Sequence, residues 1–202
     1  MRQKRQYLTA REAPEFGPYD EFPTFPPGID PQLCLSRNDR PQPFYLICEH
    51  DTVLVQMSGT GRVFFHGGPV NYHALEPGDF AYVPARTPHR FVPTTESVQY
   101  RFKPEHPGLE GVCWYCERCG QELWRQIWDT ATELPQEGYL RSCRSFNADA
   151  AYRTCKSCGA VHPVLDLVGF RWAQIVASLR SGAAAEQPEH PPAGAPRRPN
   201  AG

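Results

Sequence analysis

The chemistry-bearing residues that stand out first are cysteines. Four of the eight fall in two Cys-x-x-Cys knuckles, "CERCG" with Cys116 and Cys119, and "CKSCG" with Cys155 and Cys158. Each knuckle offers two thiolates to one cation. Two knuckles complete a tetrahedral sulfur cage of the kind that selects zinc or a single iron. Both knuckles end in glycine, which takes the backbone conformation such turns require. Arg118 and Lys156 lie inside them and offset part of the thiolate charge. Four protein ligands fill a tetrahedral shell, so the centre is structural or electron-transferring, not hydrolytic. Zinc and iron both remain open. Cys34, Cys48, Cys113 and Cys143 have no second pair of knuckles to join and read as buried thiols. His162, close behind the last knuckle, is either a donor near the metal or an ordinary strand or turn residue.

Composition bounds the setting. The chain has 202 residues, 40% hydrophobic and 21% charged, with a formal net charge of −1. This is a soluble globular balance with no electrostatic case for nucleic acid or an anionic membrane. No apolar run approaches the roughly 20 residues that cross a bilayer. The basic start "MRQKRQYLTAREAPEF" is followed by no apolar segment of a secretory signal, so a cytoplasmic location is expected. In a reducing compartment, eight cysteines favour metal ligation over disulfides.

The elements that must position these residues change along the chain. Residues 1–32 read as an extended proline-rich arm carrying aromatics. From 33 to 103, short β-branched and aromatic runs such as "FYLICEH", "TVLVQMSG", "RVFFHGG", "DFAYVPA" and "VQYRFK" are separated by turn signals. That spacing predicts an antiparallel barrel or sandwich. Residues 104–164 hold the cysteine segment. Within it, Leu123, Trp124, Ile127 and Trp128 stand at helical spacing, with Pro135 as a stop. Val168, Trp172, Ile175 and Leu179 form a second stripe, predicting a C-terminal helix over 165–182. Residues 183–202, rich in Ala, Pro and charge, predict a disordered tail.

"PGDFAYVPARTPHRF" is the other informative stretch. Gly78 turns the chain into a strand, Pro84 and Pro88 flank a bend, and His89 begins the next strand. The stretch resembles the second motif of cupins, small antiparallel barrels in which this His ligates a metal. With "GLEGVCWYCERCG" and "RTCKSCGAVHP" it resembles bacterial 3-hydroxyanthranilate 3,4-dioxygenases, from about residue 24 to 164. The resemblance implies an all-β cupin barrel with a small C-terminal four-cysteine segment. In that family the barrel carries catalytic Fe(II) on two His and one Glu, and the cysteine site holds a second iron.

Carried over residue by residue, the resemblance keeps His89 alone. Leu46 stands at the position of the expected first His and Thr52 at that of the expected Glu. The arginines that clamp the substrate carboxylate fall near Gln42 and Pro93, and the pocket Glu falls on Arg101. A shifted register would offer Glu49, His50, Asp51, His66 or His73 as ligands; the first three read as a turn, and His73, with Glu76, as surface. Iron in the barrel is therefore doubtful.

Arg101, if it faces inward, lies near Tyr45, Gln56 and His89 and needs an anionic partner, either a ligand or an acid of the chain. This leads to a divergent cupin that binds, with or without transforming it, a small aromatic or carboxylated metabolite. His89 and Arg101 would be its chemical residues, and Tyr45 and Gln56 would contact the ligand. Two alternatives stand beside it: a true ring-cleaving dioxygenase with displaced ligands, and a non-catalytic subunit or scaffold. A homodimer is the expected assembly.

Overall fold

The computed structural model describes residues 12–67 and 69–185. Two antiparallel sheets face one another around the main core. The five-stranded sheet has the order β1-β2-β9-β4-β7. Its strands are β1 (Phe22–Pro23), β2 (Gln32–Asn38), β9 (Ser97–Lys103), β4 (Thr52–Ser58) and β7 (Phe80–Val83). The six-stranded sheet has the order β11-β10-β3-β8-β5-β6. It comprises β11 (Glu122–Asp129), β10 (Leu109–Tyr115), β3 (Tyr45–Cys48), β8 (His89–Pro93), β5 (Gly61–Phe65) and β6 (Tyr72–Leu75). Together they form an antiparallel barrel, one of the two architectures expected from the strand texture and the cupin form that the resemblance implies. No helix among the described residues is long and apolar enough to cross a membrane.

The two inner walls differ in chemistry. The six-stranded sheet turns Leu46, Val63, Phe91 and Val112 inward, all fully buried. The five-stranded sheet turns Gln99, Arg101 and Lys103 of β9 inward beside Gln56 and Thr52 of β4, each no more than 4% exposed. Alternation along β9 then sends Val98, Tyr100 and Phe102 to the outside. There Ala13 and Phe16, with Phe22 of β1, cover them as a second apolar cluster.

The arm thus packs on the outer face at Phe16 and enters the core at Tyr19, which is 3% exposed. Tyr19 and Glu21 make this passage with φ of 53° and 43°, the left-handed region that non-glycine residues seldom adopt. The first eleven residues of the expected arm lie outside the described part.

Three helical elements follow the strands: α1 (Pro135–Ala148), α2 (Ala150–Arg153) and α3 (Trp172–Ala185). The helix expected around Leu123–Trp128 is strand β11, paired with β10 along its length. A four-residue repeat fits a helix stripe and one face of a strand equally well. Pairing with β10 decides the matter, sending Trp124 onto Trp114 and Tyr152 and Trp128 onto Tyr139. Pro135, expected as a stop, is the first residue of α1, where its missing N–H costs nothing. Glu137 caps that end by accepting the Leu134 N–H at 3.0 Å. Tyr139, Cys143 and Phe146 form its buried stripe.

The C-terminal helix begins at Trp172, later than expected, because Gly169 takes a φ of 88° just ahead of it. Val168 consequently lies outside the helix and is 77% exposed, while Trp172 and Ile175 are buried as the stripe predicts. Residues 186–202 of the expected tail lie outside the described part.

Candidate functional site

The knuckles come together as their spacing demands. Cys116 directly follows β10, and Gly120 donates its N–H back to Cys116 O at 2.8 Å. Gly159 does the same to Cys155 O at 2.9 Å. Both glycines have positive φ, 74° and 73°. The four Sγ atoms all lie within 4.8 Å of one another, with Cys116–Cys158 and Cys119–Cys155 each at 3.5 Å. A tetrahedral ion with bonds of about 2.3 Å has sulfur–sulfur edges of about 3.8 Å, so the donor set fits a single zinc or iron. Backbone N–H groups of Cys158 and Ser157 hold the Cys155 thiol down to about 7, favouring the thiolate. Among the described residues this is the one group of three or more metal-capable side chains. Cys34, Cys48, Cys113 and Cys143 are all buried, as expected, and burial pushes the first three up to about 12 and Cys143 upward too.

The barrel positions fit no iron. Leu46 is the Cα partner of His89 across β3 and β8, and Thr52 is 2% exposed on β4. One imidazole, a leucine and a threonine make no facial set of two His and a carboxylate. The imidazole itself is fully engaged. His89 Nδ1 lies 3.0 Å from Thr87 O, which only accepts, so Nδ1 carries the proton. Nε2 then accepts from Arg101 Nη1 at 2.7 Å. Burial and the Arg101 charge push His89 down to about 3, so it stays neutral.

Arg101 faces inward, and its anionic partner comes from the arm. Arg101 Nε donates to Glu21 Oε1 at 2.7 Å. Glu21 Oε2 takes the Lys103 ammonium at 2.9 Å and the Tyr139 hydroxyl at 2.8 Å. Lys103 also meets Glu110 Oε1 at 2.8 Å. The two cations and two carboxylates balance, and the four side chains are at most 7% exposed. Burial opposes the Glu21 charge, but Lys103 and Arg101 outweigh it and hold the carboxyl down to about 2. Burial likewise opposes charge on Lys103, and Glu110 and Glu21 overcome it, raising Lys103 well above its ordinary value.

Gln56 is in the same interior, fully buried, with Oε1 accepting from Gln99 Nε2 at 2.7 Å and Nε2 donating to Ser58 O at 2.8 Å. Tyr45 is elsewhere. Its ring stands edge-on to Tyr115 and His66, on the opposite side of β3 from Leu46, so it does not join His89 and Arg101. Glu49 and Asp51 sit in the β3–β4 turn and bond to nearby chain, Leu109 N–H and Ala85 N–H respectively. His73 is exposed and His162 bonds to Pro163 O.

Sequence reasoning missed Glu21, Lys103, Glu110 and Tyr139. Lys103 was within reach, because strand alternation puts it on whichever face Arg101 takes. Glu21 carried no signal beyond being an acid among the arm's aromatics.

Comparisons with known proteins agree with this picture at the level of kinship. No family model matches the chain. It is 33% identical over 97 residues to 3-hydroxyanthranilate 3,4-dioxygenase 1 of Aspergillus oryzae, covering 43% of this chain and 45% of that protein. It is 29% identical over 94 residues to the 3-hydroxyanthranilate 3,4-dioxygenase of Bacillus thuringiensis, covering 44% and 50%. The chain thus spans about half the length of the curated relatives it matches. Among solved structures, a cupin-2 domain protein of Shewanella frigidimarina is similar with a TM-score of 0.43 and 16% identity, covering 52% of this chain and 98% of that one. Over the matched stretch of somewhat under half its length, the chain is similar in sequence to 3-hydroxyanthranilate 3,4-dioxygenases.

Proposed function

We propose that this protein is a cupin in which the barrel serves as a charge-balanced scaffold, not as a ring-cleaving iron site. The observation that carries the reading is the placement of Arg101 between His89 Nε2 and the Glu21 carboxylate, each at 2.7 Å. The nitrogen that would ligate iron is capped by a permanent cation, and the cation is neutralised from within the chain. This favours the non-catalytic reading over binding or transformation of an anionic aromatic at His89 and Arg101. Tyr45, being outside the barrel, has no part in such a site, and Gln56 acts as a core amide.

The four cysteines hold zinc or a single iron and tie the segment after β10 to the barrel wall. With all four positions taken by thiolates, the metal supplies cross-linking, and the chain's part is to present the sulfurs. A homodimer is supported by Phe80 and Tyr82, which are 69% and 54% exposed on strand β7 beside Val55 and Val53.

Elemental analysis of protein prepared anaerobically with iron tests the reading. One metal per chain, lost in a Cys116→Ser/Cys158→Ser variant, with no O2 uptake on 3-hydroxyanthranilate, is expected. A second metal that survives in the variant, together with O2 uptake, would overturn it.

A further inference from the structure

Where the cysteine segment folds back on the barrel wall it leaves a cleft of about 240 Å3. Its lining includes Tyr45 from β3, His66 after β5, Arg90 from β8, and Tyr115 with Glu117 around the end of β10. The cleft is therefore built by three strands of the six-stranded sheet, the turn after β5 and the first knuckle. It lies on the opposite side of that sheet from His89: β8 turns His89 and Phe91 into the core and Arg90 outward.

Two features give it a chemical preference. One is an aromatic wall. His66 and Tyr115 are stacked with centroids 3.4 Å apart, and Tyr45 stands edge-on to Tyr115 at 5.2 Å. His66 is held there by Gly120 O, 3.1 Å from its Nε2, so the wall is fixed to the knuckle. The other is an unpaired cation. Arg90 spends only its Nε on the protein, donating to Gln42 O at 2.6 Å. Among the described residues neither Nη nitrogen has a partner, and Arg90 takes part in no ion pair. The Tyr45 hydroxyl, on the same cleft, is likewise without a hydrogen-bond partner among the described residues.

We propose that this cleft is a binding site for a small planar carboxylate. The Arg90 guanidinium fork and the Tyr45 hydroxyl take the carboxylate, and a single flat ring packs along the Tyr45, Tyr115 and His66 surfaces. The volume is below that of sites for drug-sized ligands, which suits one ring and excludes a nucleotide. Glu117 is a competitor. It is an exposed acid on the same rim with no partner among the described residues, and it opposes an incoming anion. The site is outside the barrel, so the closed-barrel reading and this one stand or fall separately.

Benzoate is the probe, titrated by calorimetry into the metal-loaded full chain. Saturable one-site binding is expected, at least tenfold weaker for benzamide, which lacks the charge, and weaker for cyclohexanecarboxylate, which lacks the flat ring. Arg90→Lys and Tyr45→Phe each weaken benzoate severalfold or more. Glu117→Gln strengthens it, and this opposite sign guards against mere loss of folding. Binding that ignores Arg90, Tyr45 and Glu117, or no binding by a metal-loaded, cooperatively unfolding wild-type protein, overturns the proposal.

Discussion

His89 Nε2 and Arg101 Nη1 lie 2.7 Å apart in the barrel interior, with the imidazole accepting and the guanidinium donating. The contact consumes the one lone pair that a neutral His89 has to offer. A metal at that nitrogen would have to displace a guanidinium that is itself locked to Glu21.

Removing Glu21 is therefore costly. Glu21→Ala leaves Arg101 without its carboxylate and Lys103 with Glu110 as its one remaining carboxylate, in a site at most 7% exposed. Breaking one partner of a buried pair typically costs about 3–5 kcal/mol. Chemical denaturation should show a loss of that size, while an exposed pair such as Arg37–Glu96 should give under about 1 kcal/mol on Glu96→Ala.

His89 sets the first part of the acid response. Its pKa is lowered from 6.5 to about 3, so the unfolded chain takes up this proton before the native one does. Stability is fully present above about 6.5 and falls by about 1.4 kcal/mol per pH unit below it, until the native imidazole protonates. His89→Gln preserves an acceptor for Arg101 and a donor for Thr87 O without titrating. Between about pH 6.5 and 5 it should lose about 2 kcal/mol less than the wild type in urea melts. Equal slopes would mean that the native histidine takes up its proton over the same range as the unfolded one.

Glu21 governs the lower window. Its carboxyl is held from 4.5 down to about 2, so its contribution is complete above about 4.5 and disappears as pH falls through about 2. Stability measured across that range should fall more steeply in the wild type than in a Glu21→Gln variant.

Gly138 reports on how α1 meets β11. A Cβ there would run into the Trp128 indole. Gly138→Ala should destabilise by about 1–3 kcal/mol despite alanine's better helix propensity, with a changed tryptophan emission. A gain in stability would mean that the helix stands off the sheet.

The readable parts of the chain were those in which local pattern and tertiary demand coincide. The knuckles form from glycine-terminated turns, and the "VPARTPH" bend delivers His89 to a strand, so both were visible in sequence. Trp124 and Trp128 were misplaced because a spacing of four satisfies helix and strand together, and the partner strand that decides lies outside the window. The barrel interior was hidden for another reason. On β9 the polar residues face in and the apolar ones out, the reverse of the usual pattern, and this holds only because Phe16 and Phe22 of the arm cover the outer face. Nothing near Arg101 in sequence announces Glu21, which is 80 positions away.

The passage of the arm into the core has a consequence for biosynthesis. Tyr19 O accepts the Trp172 indole N–H at 2.9 Å, and the Asp20 and Glu21 carbonyls accept from Gln136. Residues of the arm are held by residues made much later, 153 positions apart in the case of Tyr19 and Trp172. A nascent chain halted before Trp172 has every strand of the barrel but lacks the clasp over Tyr19. The interior charges on Arg101 and Lys103 can be sealed in their final form only once the segment through Trp172 has been made, so closure of this barrel lags behind the synthesis of its own strands.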